Sequence, residues 1–403
     1  MFIKKLNGEH PLWTPPIHHF DHAKGHHNIH WLELFYDLIQ VVAISAVSDY
    51  LVNHLNLFGI LSFVMLFIVM WQAWFDISIY HSIYISTDIY HRVLMLLIVT
   101  SVAIMSSTLY NIDILTALSS FLIAYGSNKI LIGILYLRIF IIEKSNLSIH
   151  LALRFLIIGF ISIALSFLPY KIAIYTYTIF LIIFLINFTT YFPKVGILKN
   201  KRFILRSQHM AERFSLIFLV VCGEGFVQLA NIIIPAFLHR FQLIDFVGYG
   251  FGISGIFLTT WLYFDFTRVK PPKQIKGISY LKWSGSHLLL VLSIILIDVA
   301  IHAEFQINFF KTYLLMFGYI GYIGLILYFL SILFIQQVIV SHAAHKFATI
   351  KVRMIGIVIA IIGTIALPYV SFIICNIIWF SALLSQAIIP IFLGYRYFSK
   401  NQI

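Results

Sequence analysis

Long apolar runs separated by short polar connections fill the sequence from about residue 32 to its end. A helix needs ~20 consecutive apolar residues to cross the hydrocarbon layer. Runs of about that size lie at 32–54, 57–77, 92–110, 114–138, 151–169, 172–192, 210–233, 243–267, 284–304, 312–340, 353–369 and 371–395. The pattern therefore predicts an all-α integral membrane protein with about twelve transmembrane helices. The stretch 353–395 can also be read as one long element. Pro368, followed by a second full-length run, predicts a tight turn between two spans instead.

Composition agrees with this pattern. The 403 residues are 61% hydrophobic and 10% charged, with 38 Phe and 22 Tyr, too little polar surface for a water-soluble fold. The net charge of +12 does not point to nucleic acid, because the basic residues fall between the apolar runs. With twelve spans, 23 Lys and Arg fall on the N-terminal side and only Lys171, Arg240 and Lys311 on the other, with Lys129 left inside a span. The positive-inside rule then predicts that both termini are cytoplasmic. The first thirty residues are polar and His-rich, so no cleavable signal peptide is expected and the first span directs insertion. Cys222 and Cys375 lie inside apolar runs and form no disulfide framework.

A duplicated motif divides the chain. His-x-x-Glu-x-Phe occurs as His30, Glu33, Phe35 and again as His209, Glu212, Phe214, 179 residues later. Trp71, Phe75, Asp76 are echoed by Trp261, Phe264, Asp265, and His91 by His287. The expected organisation is a His-rich tail at 1–31, a six-helix half at 32–193, a basic linker at 194–209, a second half at 210–395 and a tail at 396–403. Six spans per half is an even number, so the repeats are expected to be parallel.

The segment Glu33-Leu-Phe-Tyr-Asp-Leu-Ile-Gln-Val-Val-Ala-Ile-Ser45 resembles the signature of the bacterial low temperature requirement protein A family. Glu212-Arg213-Phe214, followed by Gly223-Glu224, is similar to that family's second signature. Gln40, Cys222 and Gly225 depart from the family pattern. The resemblance implies a multi-span protein of the bacterial cytoplasmic (inner) membrane, linked to growth in the cold and without a settled biochemical activity.

Ionisable residues in apolar runs carry the candidate chemistry, because a charge at bilayer depth costs ~2.5–3.5 kcal/mol on insertion scales. An outer ring is expected from His30, Glu33, Asp37, Asp76, His209, Glu212, Arg213 and Asp265. It reads either as ion pairs locking helix ends or as a cytoplasmic vestibule for a cation or protons. Glu33, Asp37 and Gln40 share one helix face. Deeper lie Lys129, Glu224 with Gln228 one turn on, and Asp298, read on one face with His287 and His302. Lys129 is expected to pair with Glu224 or Asp298, unless one of these carboxylates exchanges a proton or binds a coupling cation. Glu224 aligns with Ser45 and Asp298 with about Val102, so a single asymmetric site between the halves is expected.

His18, His22, His26 and His30 recur every four residues, a stripe that would suit a metal if helical. Pro15, Pro16 and Gly25 weaken the helical case. Phosphate-binding loops and hydrolase or zinc-protease motifs are absent, and no cofactor is evident. Gly248–Gly255 lies within an apolar run and reads as close helix packing. The partners expected are the lipid bilayer and a proton, small cation or solute, and no nucleic acid. The leading expectation is a secondary transporter or proton- or cation-linked permease. The alternatives are a membrane-embedded enzyme or lipid-handling protein, and a sensor or scaffold for cold adaptation.

Overall fold

A computed structural model describes residues 15–18, 29–110, 114–169, 206–238, 243–267, 270–273, 278–306, 311–339 and 350–401, with isolated positions 172, 179 and 182. Among the described residues there are eleven helices: α1 Trp31–Asn53, α2 Leu57–Ile83, α3 Ile89–Ser107, α4 Ile114–Glu143, α5 Asn146–Ser166, α6 Ser207–Leu238, α7 Leu243–Phe266, α8 Ile278–Gln306, α9 Lys311–Val338, α10 Ile350–Ala366 and α11 Phe372–Asn401. Each overlaps one of the expected apolar runs. Of the run at 172–192 only positions 172, 179 and 182 are described, and His22 and His26 lie outside the described residues. Nine of these helices, all but α7 and α10, are long and apolar enough to cross a membrane. The chain is a multi-pass membrane protein.

The chain forms two compact units, one of residues 1–213 with 275–278, the other of 214–274 with 279–403. In the first unit α1 starts with a capping box. His30 Nδ1 accepts from the Leu32 N–H at 3.3 Å, and Glu33 Oε1 accepts from the His30 N–H at 3.4 Å. Asn56 caps α2 by accepting from the Gly59 N–H at 2.7 Å. Lys144 ends α4 in the left-handed region with φ 55°, its N–H donating to the Phe140 carbonyl at 2.8 Å. Between α4 and α5, Gly126 and Gly159 face each other. A Cβ on either would come within 2.7 Å of the other's carbonyl oxygen, so only glycine allows this approach.

Two expectations need correction in this unit. Apolarity alone would end the second span near residue 77, but α2 continues to Ile83 because Ser78, His81 and Ser82 are buried by neighbouring helices. Asp76 therefore lies seven residues, ~10 Å, inside the helix end instead of closing it. His18 is not on a helix. It belongs to the strand β1 Ile17–His18, antiparallel to β2 Tyr84–Ile85, and its ring packs edge-on against Tyr84 at 5.4 Å. With His30 outside α1 as its cap, His18 and His30 share no helical stripe.

In the second unit, α10 has one buried and one exposed face. Val352, Arg353, Gly356, Ile357, Ala360 and Gly363 face inward, while Met354, Ile355, Val358, Ile361, Ile362 and Ile365 are exposed. Small residues let neighbouring backbones approach, and branched apolar ones face hydrocarbon. Pro368 sits in the turn at 367–370 that separates α10 from α11, the break expected from its missing N–H.

Candidate functional site

Among the described residues, a close group of buried polar side chains lies in the first unit. Glu33 and Asp37, one turn apart on α1, are 6% and 2% exposed, and Arg213 near the start of α6 is 0% exposed. Arg213 Nη1 donates to Glu33 Oε2 at 2.9 Å and Nη2 to Asp37 Oδ1 at 2.5 Å. Trp74 on α2 donates its indole N–H to the same Asp37 oxygen at 2.6 Å. His209 Nε2 lies 2.9 Å from Glu33 Oε2. Arg213 Nη1 also reaches His81 Nδ1 at 3.5 Å, and His81 Nε2 meets His91 Nε2 at 3.1 Å. Gln40, one turn beyond Asp37, donates to the Met70 carbonyl at 2.8 Å.

Glu33 thus has two tasks. Its Oε1 closes the cap of α1, and its Oε2 receives Arg213 and faces His209. Below it, Arg206 donates to the His81 and Ser82 carbonyls that end α2, where a cation complements the helix dipole. Burial pulls the Arg206 pKa below its ordinary value, against the opposing pull of Glu33 and Glu212. Burial likewise lowers His30, with Glu33 opposing and Arg92 adding to the shift. Of the ring residues, Glu33, Asp37, His209 and Arg213 form an ion-paired lock between α1 and the first turns of α6.

The two copies of the sequence motif have diverged in role. From the second copy, His209 enters the lock together with the adjoining Arg213, whereas Glu212 is half-exposed and accepts from Gln208 at 3.2 Å. Asp265 is exposed and accepts from the Trp261 indole one turn earlier on α7.

The match that these motifs foreshadow spans most of the chain. A family model described as bacterial low temperature requirement A protein (LtrA) covers residues 28–388. The chain belongs to this LtrA family. A search of curated proteins finds no match.

Elsewhere in this LtrA-family chain the expected partner of Lys129 is overturned. Its ammonium lies 2.5 Å from Asp76 Oδ2, both side chains fully buried, and 4.9 Å from the centre of the Tyr125 ring. The partner is neither Glu224 nor Asp298, because the extension of α2 carries Asp76 down to the level of Lys129. A second pair unmarked by the motifs joins Arg138 to Asp88 in a fork of 2.9 and 2.6 Å.

In the second unit, Asp298 on α8 is 6% exposed and its carboxylate packs against Gly225, where a Cβ would come within 2.6 Å of Oδ1. That oxygen has no hydrogen-bond partner among the described residues. Glu224 is near enough to act on Asp298 electrostatically, and Gln228 donates to Glu224 at 3.5 Å. His302 is half-buried one turn beyond Asp298. His287 does not join them. It stacks on Phe214 at 4.4 Å, with Nδ1 2.8 Å from the Trp283 carbonyl and Nε2 3.4 Å from the Tyr263 hydroxyl. Eleven residues of helix place it three turns away, inside an aromatic nest. An open, mostly apolar cavity lined by Phe251, Ile301, Tyr322, Asn376 and Trp379 adjoins α8, but Asp298 is not part of its wall. Among the described residues no cluster of three or more His, Cys, Asp or Glu could hold a metal.

Sequence reasoning missed Trp74 and His81, which complete the lock, and marked His91 only as an echo of His287. Trp74 and His81 are seven residues apart, hence on one face of α2, and that spacing is the signal that could have found them.

Proposed function

We propose that this LtrA-family protein is a secondary transporter or proton- or cation-linked permease whose coupling group is Asp298, with Glu224 as its neighbour. The reading includes twelve spans in two parallel six-helix repeats with both termini cytoplasmic, a topology supported by the distribution of Lys and Arg. One observation carries it. Asp298 is a buried carboxylate in a membrane helix, beside a second carboxylate, and no ion pair among the described residues compensates it. Such a group is stable when it takes up a proton or a cation, and that exchange is what a coupled carrier needs. The acids of the lock in the first unit differ, because each already pairs with Arg213.

The test is proton uptake by sealed vesicles containing the purified chain, followed with an entrapped pH dye after an imposed pH step. Sodium and potassium gradients are run in parallel. Uptake above that of protein-free vesicles is expected, with loss in Asp298→Asn and reduction in Glu224→Gln. Wild-type protein no faster than empty vesicles under every gradient, or both variants at full rate, would overturn the reading.

A further inference from the structure

Arg353 was expected to be one more basic residue at a span end, but the structure buries it. The side chain on the first turn of α10 is 1% exposed, with its guanidinium 4.6 Å from the centre of the Phe266 ring. Its hydrogen-bond partners are neutral. Nη1 donates to Gln386 Oε1 at 3.0 Å and Nε to Gln336 Oε1 at 3.4 Å. Gln386 is itself held, because its amide N–H donates to the Val352 carbonyl at 2.8 Å. No ion pair to a carboxylate forms at Arg353 among the described residues.

Among the described residues, two buried donors at this place have no acceptor, Arg353 Nη2 and Gln336 Nε2. Their arrangement follows from guanidinium geometry. Nε and Nη2 share one edge of the planar fork, the edge that takes a carboxylate through two parallel bonds. Gln336 fills only half of that edge. Its oxygen meets Nε, and its own amide nitrogen adds a donor where a carboxylate would have brought a second oxygen. The result is two unpaired donors, on residues bonded to each other, beside a desolvated positive charge at the N-terminal end of a helix, whose dipole also favours negative charge. Leaving a buried charge without a counter-charge is strongly unfavourable, so an anion brought to these donors would be stabilised.

We propose that Arg353 Nη2 and Gln336 Nε2 form a binding site for a small anion, a halide or one oxygen of a small carboxylate. Gln386 and Phe266 position the guanidinium. This site is independent of Asp298, and its test does not rely on transport.

The full-length protein in detergent is titrated with sodium chloride and, separately, sodium formate, at constant ionic strength made up with a bulky sulfonate. Thermal unfolding is the readout, since a ligand that binds only the folded state raises the midpoint in a saturable way. Saturable stabilisation by at least one anion is expected, and the two arms tell a halide site from a carboxylate site. Arg353→Gln should abolish the dependence. Should that variant fail to fold, Gln336→Glu decides the matter, because it leaves Arg353 bonded to Gln386 and supplies a carboxylate of its own to the Nε and Nη2 edge. It should weaken the anion dependence at least about tenfold, equivalent to ~1.4 kcal/mol. The proposal is overturned if neither anion gives a saturable shift, or if the shift is unchanged in Gln336→Glu.

Discussion

Replacing Arg213 by methionine tests the lock directly. The substitution roughly keeps side-chain length and apolar volume while removing the guanidinium between Glu33 and Asp37. At the observed separations of 2.9 and 2.5 Å, each contact has a Coulomb attraction on the order of 5 kcal/mol at an effective dielectric of ~20. Desolvation of three buried charges offsets much of that sum. What decides the outcome is the state left behind, two carboxylates under 10% exposed with no cation between them. Breaking a buried pair from one side costs ~3–5 kcal/mol, and Arg213→Met should lose at least that much. Unfolding free energy measured by denaturant titration in mixed micelles is the assay. The triple change Arg213→Met, Glu33→Gln, Asp37→Asn supplies the control. Gln at 33 still offers an oxygen to the His30 N–H, and Asn at 37 still accepts from Trp74, so most of the loss should be recovered. A loss below ~1 kcal/mol in the single variant, or a triple variant weaker than the single one, would refute the reasoning.

Two further outcomes follow from other contacts. Lys129→Met should destabilise by ~3–5 kcal/mol through the orphaned Asp76, and adding Asp76→Asn should restore much of it, read from the same titrations; full stability of the single variant would contradict the pairing. Burial lowers the folded-state pKa of His30 below its ordinary 6.5, so its neutral cap is intact above pH 6.5. As pH falls from there toward the lowered value, the unfolded chain binds a proton that the folded chain resists, and stability drops. His30→Asn keeps a capping side chain without a titrating group, and a melting curve as pH-dependent as the wild type's over pH 7.5–5 would count against this account.

Much of the fold was legible because hydrocarbon thickness fixes how long an apolar run must be, and eleven runs do coincide with helices. The ends were less legible. Ser78, His81 and Ser82 look like a polar exit from the membrane, yet other helices bury them and carry α2 six residues beyond 77. That extension also hid the Asp76–Lys129 pair, since depth counted from the wrong helix end puts the two residues at different levels. The duplicated triplet contains His30, Glu33 and His209, and Arg213 stands beside Glu212 of its second copy. It could not show that Glu212 would turn half-outward while Arg213, one residue on, turns inward. Arg353 was the plainest miss. A basic residue near a span end satisfies the positive-inside rule whether it faces water or a core, and only packing against Phe266 and two glutamines tells the cases apart.

The contact between His81 and His91 has a directional consequence. An arginine can only give hydrogens, so His81 Nδ1, which faces Arg213, must present a lone pair. In a neutral ring the hydrogen then sits on His81 Nε2 and points at His91 Nε2, which leaves the second ring's hydrogen on Nδ1. One guanidinium thereby dictates the tautomer of two successive imidazoles, all oriented the same way. Nitrogen chemical shifts of the two rings would register that order, and swapping Arg213 for an uncharged acceptor would let it reverse.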